Sequence, residues 1–309
     1  MPVSTPVISV RRRTDRQAVP HTYLMCRPDF FTVAYKINPW MNPAIPTDTA
    51  LALKQWQTLY DTYLALGHTV ELIDQIDGLP DMVYAANGGF VIDNIAYGAR
   101  FTHPERQAEG PAYMTWFENN GFDVHEPANI NEGEGDFMLV GDTILAGTGF
   151  RSASDSHDEV ARLYGREVVT LNLVNPSFYH LDTAIAVLNE SAGVPTGPST
   201  RRGRRAEPLA GVGPGPDDAT IAYLPSAFDA SSRAELERRY PDAILVSETD
   251  AAVLGLNSIS DGYNVVIASR AVGFEAQLRE RGYNPIGVDL SELLLGGGGV
   301  KCCTLELRR

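Results

Sequence analysis

The chain has 309 residues, 44% of them hydrophobic and 21% charged, which is ordinary for a folded protein able to bury a sizeable core. Its net charge of -14 disfavours nucleic acid and anionic membranes as partners, because phosphate binding needs clustered Lys and Arg. The same charge suits a small cationic substrate, and it also simply keeps a protein soluble. Three cysteines, Cys26, Cys302 and Cys303, make no disulfide framework and no C-x-x-C site, so a reducing cytoplasm is expected. No long apolar span and no signal-peptide core are present.

Residues 1–20, with Arg11-Arg12-Arg13, read as a disordered tail, and 21–309 as a single catalytic domain. Thr22 to Tyr35 is strand-rich, and the two prolines of Asn38-Pro39-Trp40-Met41-Asn42-Pro43 impose a turn. Thr47 or Asp48 caps a helix in which Leu51, Trp56, Leu59, Tyr60, Tyr63 and Leu64 recur at helical spacing. Gly67 ends that helix, and a strand follows at His68-Thr69-Val70-Glu71-Leu72.

The pattern of helix, glycine or turn, then strand repeats at Gly121-Phe122-Asp123-Val124, Gly165-Arg166-Glu167-Val168, Tyr240-Pro241-Asp242-Ala243 and Gly282-Tyr283-Asn284-Pro285. Between these lie hairpins at Phe90 to Tyr97, Asp136 to Leu145 and Ser258 to Ile267, turned by Asp93-Asn94, Gly141-Asp142 and Asp261-Gly262. A stretch at 191–219, rich in Gly, Pro and Arg and without apolar periodicity, reads as a flexible surface insertion. Five such units predict an α/β ring whose termini meet, bringing the last strand, Thr304-Leu305-Glu306-Leu307, beside the first. Ahead of that strand, Gly296 to Gly299 reads as a mobile loop delivering Cys302 and Cys303 to the strand mouth.

A thiol fixed there is a candidate nucleophile, and a distant His180 supplies the acid or base that thiolate chemistry needs. The alternative is that both cysteines pack as small core hydrophobes. Gly296 to Gly299 is no phosphate loop, since no Lys-Ser/Thr follows it, and the contiguous Ser156-His157-Asp158 is no triad. His68, His103 and His125 lack metal-ligand spacing, so no metal is expected.

Asn38-Pro39-Trp40-Met41, Asn87-Gly88-Gly89, Glu132-Gly133-Glu134-Gly135-Asp136, His180-Leu181-Asp182 and Gly299-Val300-Lys301-Cys302 occur in an order that resembles the guanidino-group-modifying (amidinotransferase-like, or pentein) superfamily. That superfamily includes dimethylarginine dimethylaminohydrolases, arginine deiminases and arginine dihydrolases. The resemblance runs from about Tyr23 to the C-terminus, excluding the insertion, and implies a five-bladed α/β propeller with pseudo-fivefold repeats. It implies that Cys302 attacks a guanidinium carbon, and that His180 protonates the leaving amine and then activates water. Glu132 would hold the guanidinium nitrogens, with Asn87 on another side, Arg106 and Arg151 on the substrate carboxylate, and Asn38 also touching substrate.

No cofactor is implied, and self-association is left open. Many relatives have Glu-Gly-Gly-Asp where Glu132 and Glu134 share this segment, so Glu134 stands as the alternative acid. Adjacent strand residues face opposite ways, so only one of Cys302 and Cys303 reaches the site, and Lys301 is expected to face solvent. The resemblance leaves three readings: a hydrolase of arginine giving ornithine, a hydrolase of dimethylarginine giving citrulline, and a catalytically silent binding protein. Amidino transfer to an amine differs from hydrolysis only in what resolves the covalent intermediate.

Overall fold

The computed structural model describes residues 16–189 and 221–309. The expected tail up to residue 15 and the insertion at 191–219 lie outside the described residues. Residues that end the tail are packed: Arg16 lies 3.7 Å over the Tyr283 ring, and Val19 N donates to Asp261 O.

The elements are β1 (Thr22–Cys26), α1 (Thr49–Ala65) and β2 (Thr69–Ile73), then β3 (Gly89–Ile92), β4 (Ile95–Gly98), α2 (Glu109–Asn119) and β5 (Asp123–His125). The chain continues through β6 (Phe137–Val140), β7 (Thr143–Thr148), α3 (Asp155–Tyr164) and β8 (Glu167–Asn172). Next come a short α4 (Leu181–Ala184), β9 (Ile185–Val187), β10 (Ile221–Tyr223), α5 (Ala230–Arg239) and β11 (Ile244–Leu245). The described chain ends with α6 (Glu248–Ala251), β12 (Ile259–Ser260), β13 (Asn264–Ala268), α7 (Val272–Glu280), β14 (Asn284–Val288) and β15 (Leu305–Glu306).

These strands form five three-stranded sheets of one design. A first strand pairs antiparallel with a second, and a helix then carries the chain to a third strand parallel to the second. The hairpin turn between β3 and β4 takes positive φ at both Asp93 and Asn94, as the twist of a two-residue hairpin requires. The first sheet is completed by the end of the chain: β15 pairs antiparallel with β1, Tyr23 opposite Glu306 and Leu24 opposite Leu305.

The core is shared between neighbouring sheets. Leu24 and Ile73 pack with Val91 and Phe117, and Phe90 and Tyr97 pack with Phe137 and Val160. Leu145 and Val169 pack with Ile185, Tyr223, Val265 and Phe274, and Val266 and Val288 return to Tyr23 and Met25. The fifth unit therefore buries its apolar side against the first, as the α/β propeller of five blades requires. Among the described residues no helix is long and apolar enough to cross a membrane.

Helix α1 starts at Asp48, whose side chain accepts from Leu51 N at 3.0 Å, so Asp48 and not Thr47 is the cap. Trp56, Leu59 and Tyr63 form its buried face, while Leu51 and Leu64 point to solvent. Each buried side chain contributes about 1.5–3 kcal/mol, whereas a cap contributes about 1 kcal/mol, so packing rather than capping holds the helix. Gly165 ends α3 at φ 62°, donating its N–H to Ala161 O in the left-handed conformation that glycine adopts without penalty.

Two local expectations fail. The strand predicted from Thr22 to Tyr35 stops at Cys26, because Pro28 carries no N–H and the chain turns so that Phe30 N reaches the Gln75 side chain. The glycine run is not a mobile loop but a buried one. A Cβ at Gly298 would lie 2.3 Å from the Tyr84 ring, so glycine is there for close approach.

Candidate active site

Each first strand is preceded by a tight turn, and these turns supply the polar groups of the site. Asn87 comes from the turn 85–88 ahead of β3, and Glu132 and Asp136 flank the turn 133–135 ahead of β6. His180 and Asp182 sit at the start of α4 ahead of β9, Asn257 lies just before β12, and Cys302 lies in the turn before β15. All are buried, Cys302 at 2% exposure and His180 at 1%.

Cys302 Sγ lies 3.2 Å from Asp182 Oδ2, to which the thiol donates, and 3.1 Å from Asn257 Nδ2, which donates to it. Burial first, and then the Asp182 carboxylate, push the thiol well above its ordinary pKa, while the Gly299 backbone N–H works the other way. Burial likewise pushes Asp182 up to about 7, against the opposing pull of Lys301 and of the hydrogen bond from Cys302. Its Oδ1 is buried without a hydrogen-bond partner. A carboxylate near neutrality beside a thiol is suited to accept its proton.

Cys303 is also buried and shares with Cys302 the apolar cluster of Tyr63, Leu59 and Val300, but it is the Cys302 sulfur that bonds Asp182 and Asn257. The two cysteines part company through a helical turn, with Cys303 N bonded to Gly299 O, rather than through strand alternation as the sequence suggested.

The second half of the site is a chain of three charged or titratable groups. His180 Nε2 lies 2.7 Å from Glu132 Oε2, and Arg151 Nη1 donates to the same carboxylate at 3.0 Å and 3.2 Å. Burial alone would raise the Glu132 carboxyl, yet Arg151 and the hydrogen bond from His180 hold it well below the usual carboxylate range. His180 Nδ1 is buried with no hydrogen-bond partner, so one ring nitrogen is held by Glu132 and the other is open. Cys302 Sγ bonds Asp182 and Asn257, which leaves the unpartnered Nδ1 of His180 open to serve a leaving group.

Glu134, the alternative acid, is engaged elsewhere. Lys301 Nζ sits 2.5 Å from its Oε2, Arg308 pairs with its Oε1, and Glu306 N donates to it. Lys301 is accordingly buried and paired, not turned to solvent.

Asn87 Oδ1 accepts from Arg106 Nη1 at 2.9 Å, which turns Nδ2 toward the Glu132 carbonyl at 3.3 Å. The Arg106 fork is not left open for a substrate carboxylate: Nε and Nη2 bind Glu109 at 2.9 Å and 2.8 Å, and Nη2 also reaches Asp81 O. Arg151 is similarly held by Glu132 and the Ile37 carbonyl, with Tyr179 beneath it at 4.6 Å. Asn38 spends its oxygen on Trp40 N and Met41 N and its amide nitrogen on Gly296 O and Tyr179, tying the Asn-Pro-Trp-Met turn to the glycine loop.

Sequence reading missed Asn257 and the direct contact of Asp182 with the sulfur. A signal existed in the repeat itself. Asn257 occupies the turn before the first strand of the fifth unit, the place from which the second to fourth units supply Asn87, Glu132, His180 and Asp182.

The chain is similar to known proteins along most of its length. The arginine deiminase family model matches residues 100–309. An N(G),N(G)-dimethylarginine dimethylaminohydrolase of Mycobacterium tuberculosis is 49% identical over 299 residues, 97% of this chain and 89% of that protein. The bifunctional arginine dihydrolase/ornithine cyclodeaminase ArgZ of Synechocystis is 36% identical over 291 residues, covering 92% of this chain but 37% of that longer protein. The solved N-terminal domain of ArgZ, a cysteine-to-serine variant bound to substrate, superposes with a TM-score of 0.82 at 33% identity, over 94% of this chain and 98% of that domain. The chain therefore belongs to the arginine deiminase family of the pentein superfamily and is a hydrolase acting on carbon–nitrogen bonds of amidines.

Proposed function

We propose that the protein hydrolyses arginine to ornithine, carbon dioxide and two ammonia in two rounds at one site, taking up two waters, with a cytoplasmic location. Cys302 is the nucleophile. Its proton passes to Asp182 Oδ2 as Sγ attacks the guanidinium carbon, and the amine leaves with a proton from His180, giving a covalent amidino-cysteine. His180 then takes a proton from water, which attacks the same carbon, breaks the C–S bond and releases the ureido product. Glu132 holds the guanidinium through paired hydrogen bonds, and Asn87 contacts it from another side.

The observation that carries the two-round reading is the orientation of the Asn87 amide. Arg106 binds Oδ1, so the donor end of the amide is on the Glu132 side. After one round the product carries a ureido oxygen where the substrate carried nitrogen, and a donor retains it whereas an aspartate would repel it. Retention permits a second attack by Cys302.

Hydrolysis of dimethylarginine to citrulline and dimethylamine is the second reading, favoured by the 49% identity to a dimethylarginine dimethylaminohydrolase. Incubation of the purified protein with arginine, dimethylarginine and agmatine, with quantification of ammonia, dimethylamine, citrulline and ornithine, separates the two. Ornithine from arginine supports the first. Dimethylamine from dimethylarginine with arginine untouched overturns it, and no product from any of them leaves a silent binding protein.

A further inference from the structure

Cys302 ionises in a setting that opposes a negative charge. Its sulfur is buried, and its nearest acidic neighbour is the Asp182 carboxylate at 3.2 Å. The cations of the neighbourhood are committed elsewhere: Lys301 turns its ammonium to Glu134 and to the Thr304 carbonyl, and Arg151 is held by Glu132. Further titratable groups at the site are Tyr179 just before α4, Tyr84 ahead of β3, Cys303 in its own turn, and His180 at the start of α4. Burial pushes both tyrosines up, and His180 is bonded through Nε2 to the Glu132 carboxylate rather than to the sulfur.

One side-chain donor is aimed at the sulfur. Asn257 Nδ2 lies 3.1 Å from Cys302 Sγ and also donates to Asp182 O at 3.1 Å. Its Oδ1 accepts from Gly299 N at 3.1 Å and from Cys302 N at 3.0 Å. Asn257 is fully buried, and an amide has two donor hydrogens and two acceptor lone pairs, so its whole hydrogen-bonding capacity is spent on the cysteine turn and on the residue that faces the sulfur. The amide cannot flip without setting acceptor against acceptor at the Asp182 carbonyl and donor against two backbone N–H groups. Its N–H is therefore fixed on Sγ before any substrate arrives.

A fixed donor discriminates between the two forms of the sulfur, because a hydrogen bond to an ionised partner is roughly twice as strong as one between neutral groups. We propose that Asn257 is the positioning residue that makes Cys302 ionisable, its oxygen locking the turn 299–302 and its nitrogen donating to the thiolate. The proton balance is simple: the thiol proton moves to Asp182 Oδ2, and the lone pair left on sulfur accepts from Asn257 Nδ2. The inference rests on Cys302 as nucleophile but not on the identity of the guanidine.

The rate of Cys302 alkylation by iodoacetamide, mapped by mass spectrometry and followed against pH, reads the thiolate without any substrate. Asn257→Asp keeps an acceptor for both backbone N–H groups and removes the donor, and Asn257→Ala removes both without adding charge. In both variants the alkylation midpoint should rise by about one to two pH units, and kcat near neutrality should fall about 10- to 100-fold with KM for the substrate little changed. A midpoint unmoved in the folded variants overturns the inference.

Should neither variant fold, the side-chain amide resonance of Asn257 in the unsubstituted protein is the readout. It should titrate with the Cys302 midpoint and stop doing so in Cys302→Ser, and an amide that does not respond to thiol ionisation overturns the inference equally. Turnover persisting in Cys302→Ser would instead sink the nucleophile assignment, so the two failures are distinguishable.

Discussion

Arg151 Nη1 lies 3.0 Å from Glu132 Oε2 and 3.2 Å from Oε1, so a guanidinium of the protein itself rests on the carboxylate proposed to receive the substrate's guanidinium. Substrate and Arg151 compete for the same oxygens. Arg151→Ala should leave the buried Glu132 charge with His180 as its remaining side-chain partner and cost about 3–5 kcal/mol of stability. Free guanidinium at low millimolar concentration should then raise the Tm of Arg151→Ala more than that of the unsubstituted protein. No response of Arg151→Ala in thermal melts would contradict the view that Glu132 is a guanidinium site.

The two acids of the Glu132-to-Asp136 segment separate by kind of damage. Glu132→Gln should remove nearly all turnover, since it weakens both the hold on His180 and the guanidinium contact. Glu134→Gln leaves the charges of Lys301 and Arg308 inside the protein with a weaker partner, so its main effect should be a loss of about 1–3 kcal/mol in stability. Urea unfolding and steady-state rates on the two variants check this, and a folded Glu134→Gln protein without activity would reverse the assignment.

The paired cysteines should behave oppositely. Cys302→Ser is expected to abolish turnover. Cys303→Ser puts a hydroxyl among Tyr63, Leu59 and Val300, and should cost about 1–3 kcal/mol of stability while activity persists. An amidine electrophile that labels Cys303 in preference to Cys302 would contradict both.

Asp182 gives a pH signature. Burial raises its folded pKa to about 7, so it keeps its proton in the folded state after the unfolded chain has lost it. Below about pH 4 both states are protonated and the group is neutral to stability; between about pH 4 and 7 stability falls; above that the penalty is constant. Glu132 has the opposite sign, its folded pKa being depressed, and costs stability only as pH drops below its unfolded value. Asp182→Asn should therefore be more stable than the unsubstituted protein at pH 8, by on the order of 1–4 kcal/mol, and no more stable at pH 4. Denaturation midpoints at the two pH values that move in parallel would contradict the raised pKa.

The architecture was legible because each unit repeats local signals: helix-ending glycines at 67, 121, 165 and 282, and hairpin turns such as Asp93-Asn94, are chain-local decisions. Contacts that join units were not. Asn257 and Cys302 are 45 residues apart, and Asp182 and Cys302 are 120 apart, so their meeting depends on how five blades pack.

Arg106 could have been read better. Glu109 stands three residues on and takes its fork, an i, i+3 relation visible in the sequence. The glycine run was misread for a physical reason, since composition alone does not distinguish glycine chosen for motion from glycine chosen to admit the Tyr84 ring.

Asn87→Asp tests the amide directly. The aspartate would keep its pair with Arg106 but present an acceptor to the ureido oxygen, so arginine consumption should end at citrulline, with ornithine formation falling about 100-fold or more. Chromatographic product ratios check this, and an unchanged yield of ornithine would show that the amide does not govern the second round.

Citrulline offered as the sole substrate is the most direct measurement. The two-round reading predicts that the unsubstituted protein converts citrulline to ornithine, carbon dioxide and ammonia, and that Cys302→Ser does not. Citrulline recovered intact after prolonged incubation, with an enzyme that still consumes arginine or dimethylarginine, would contradict it.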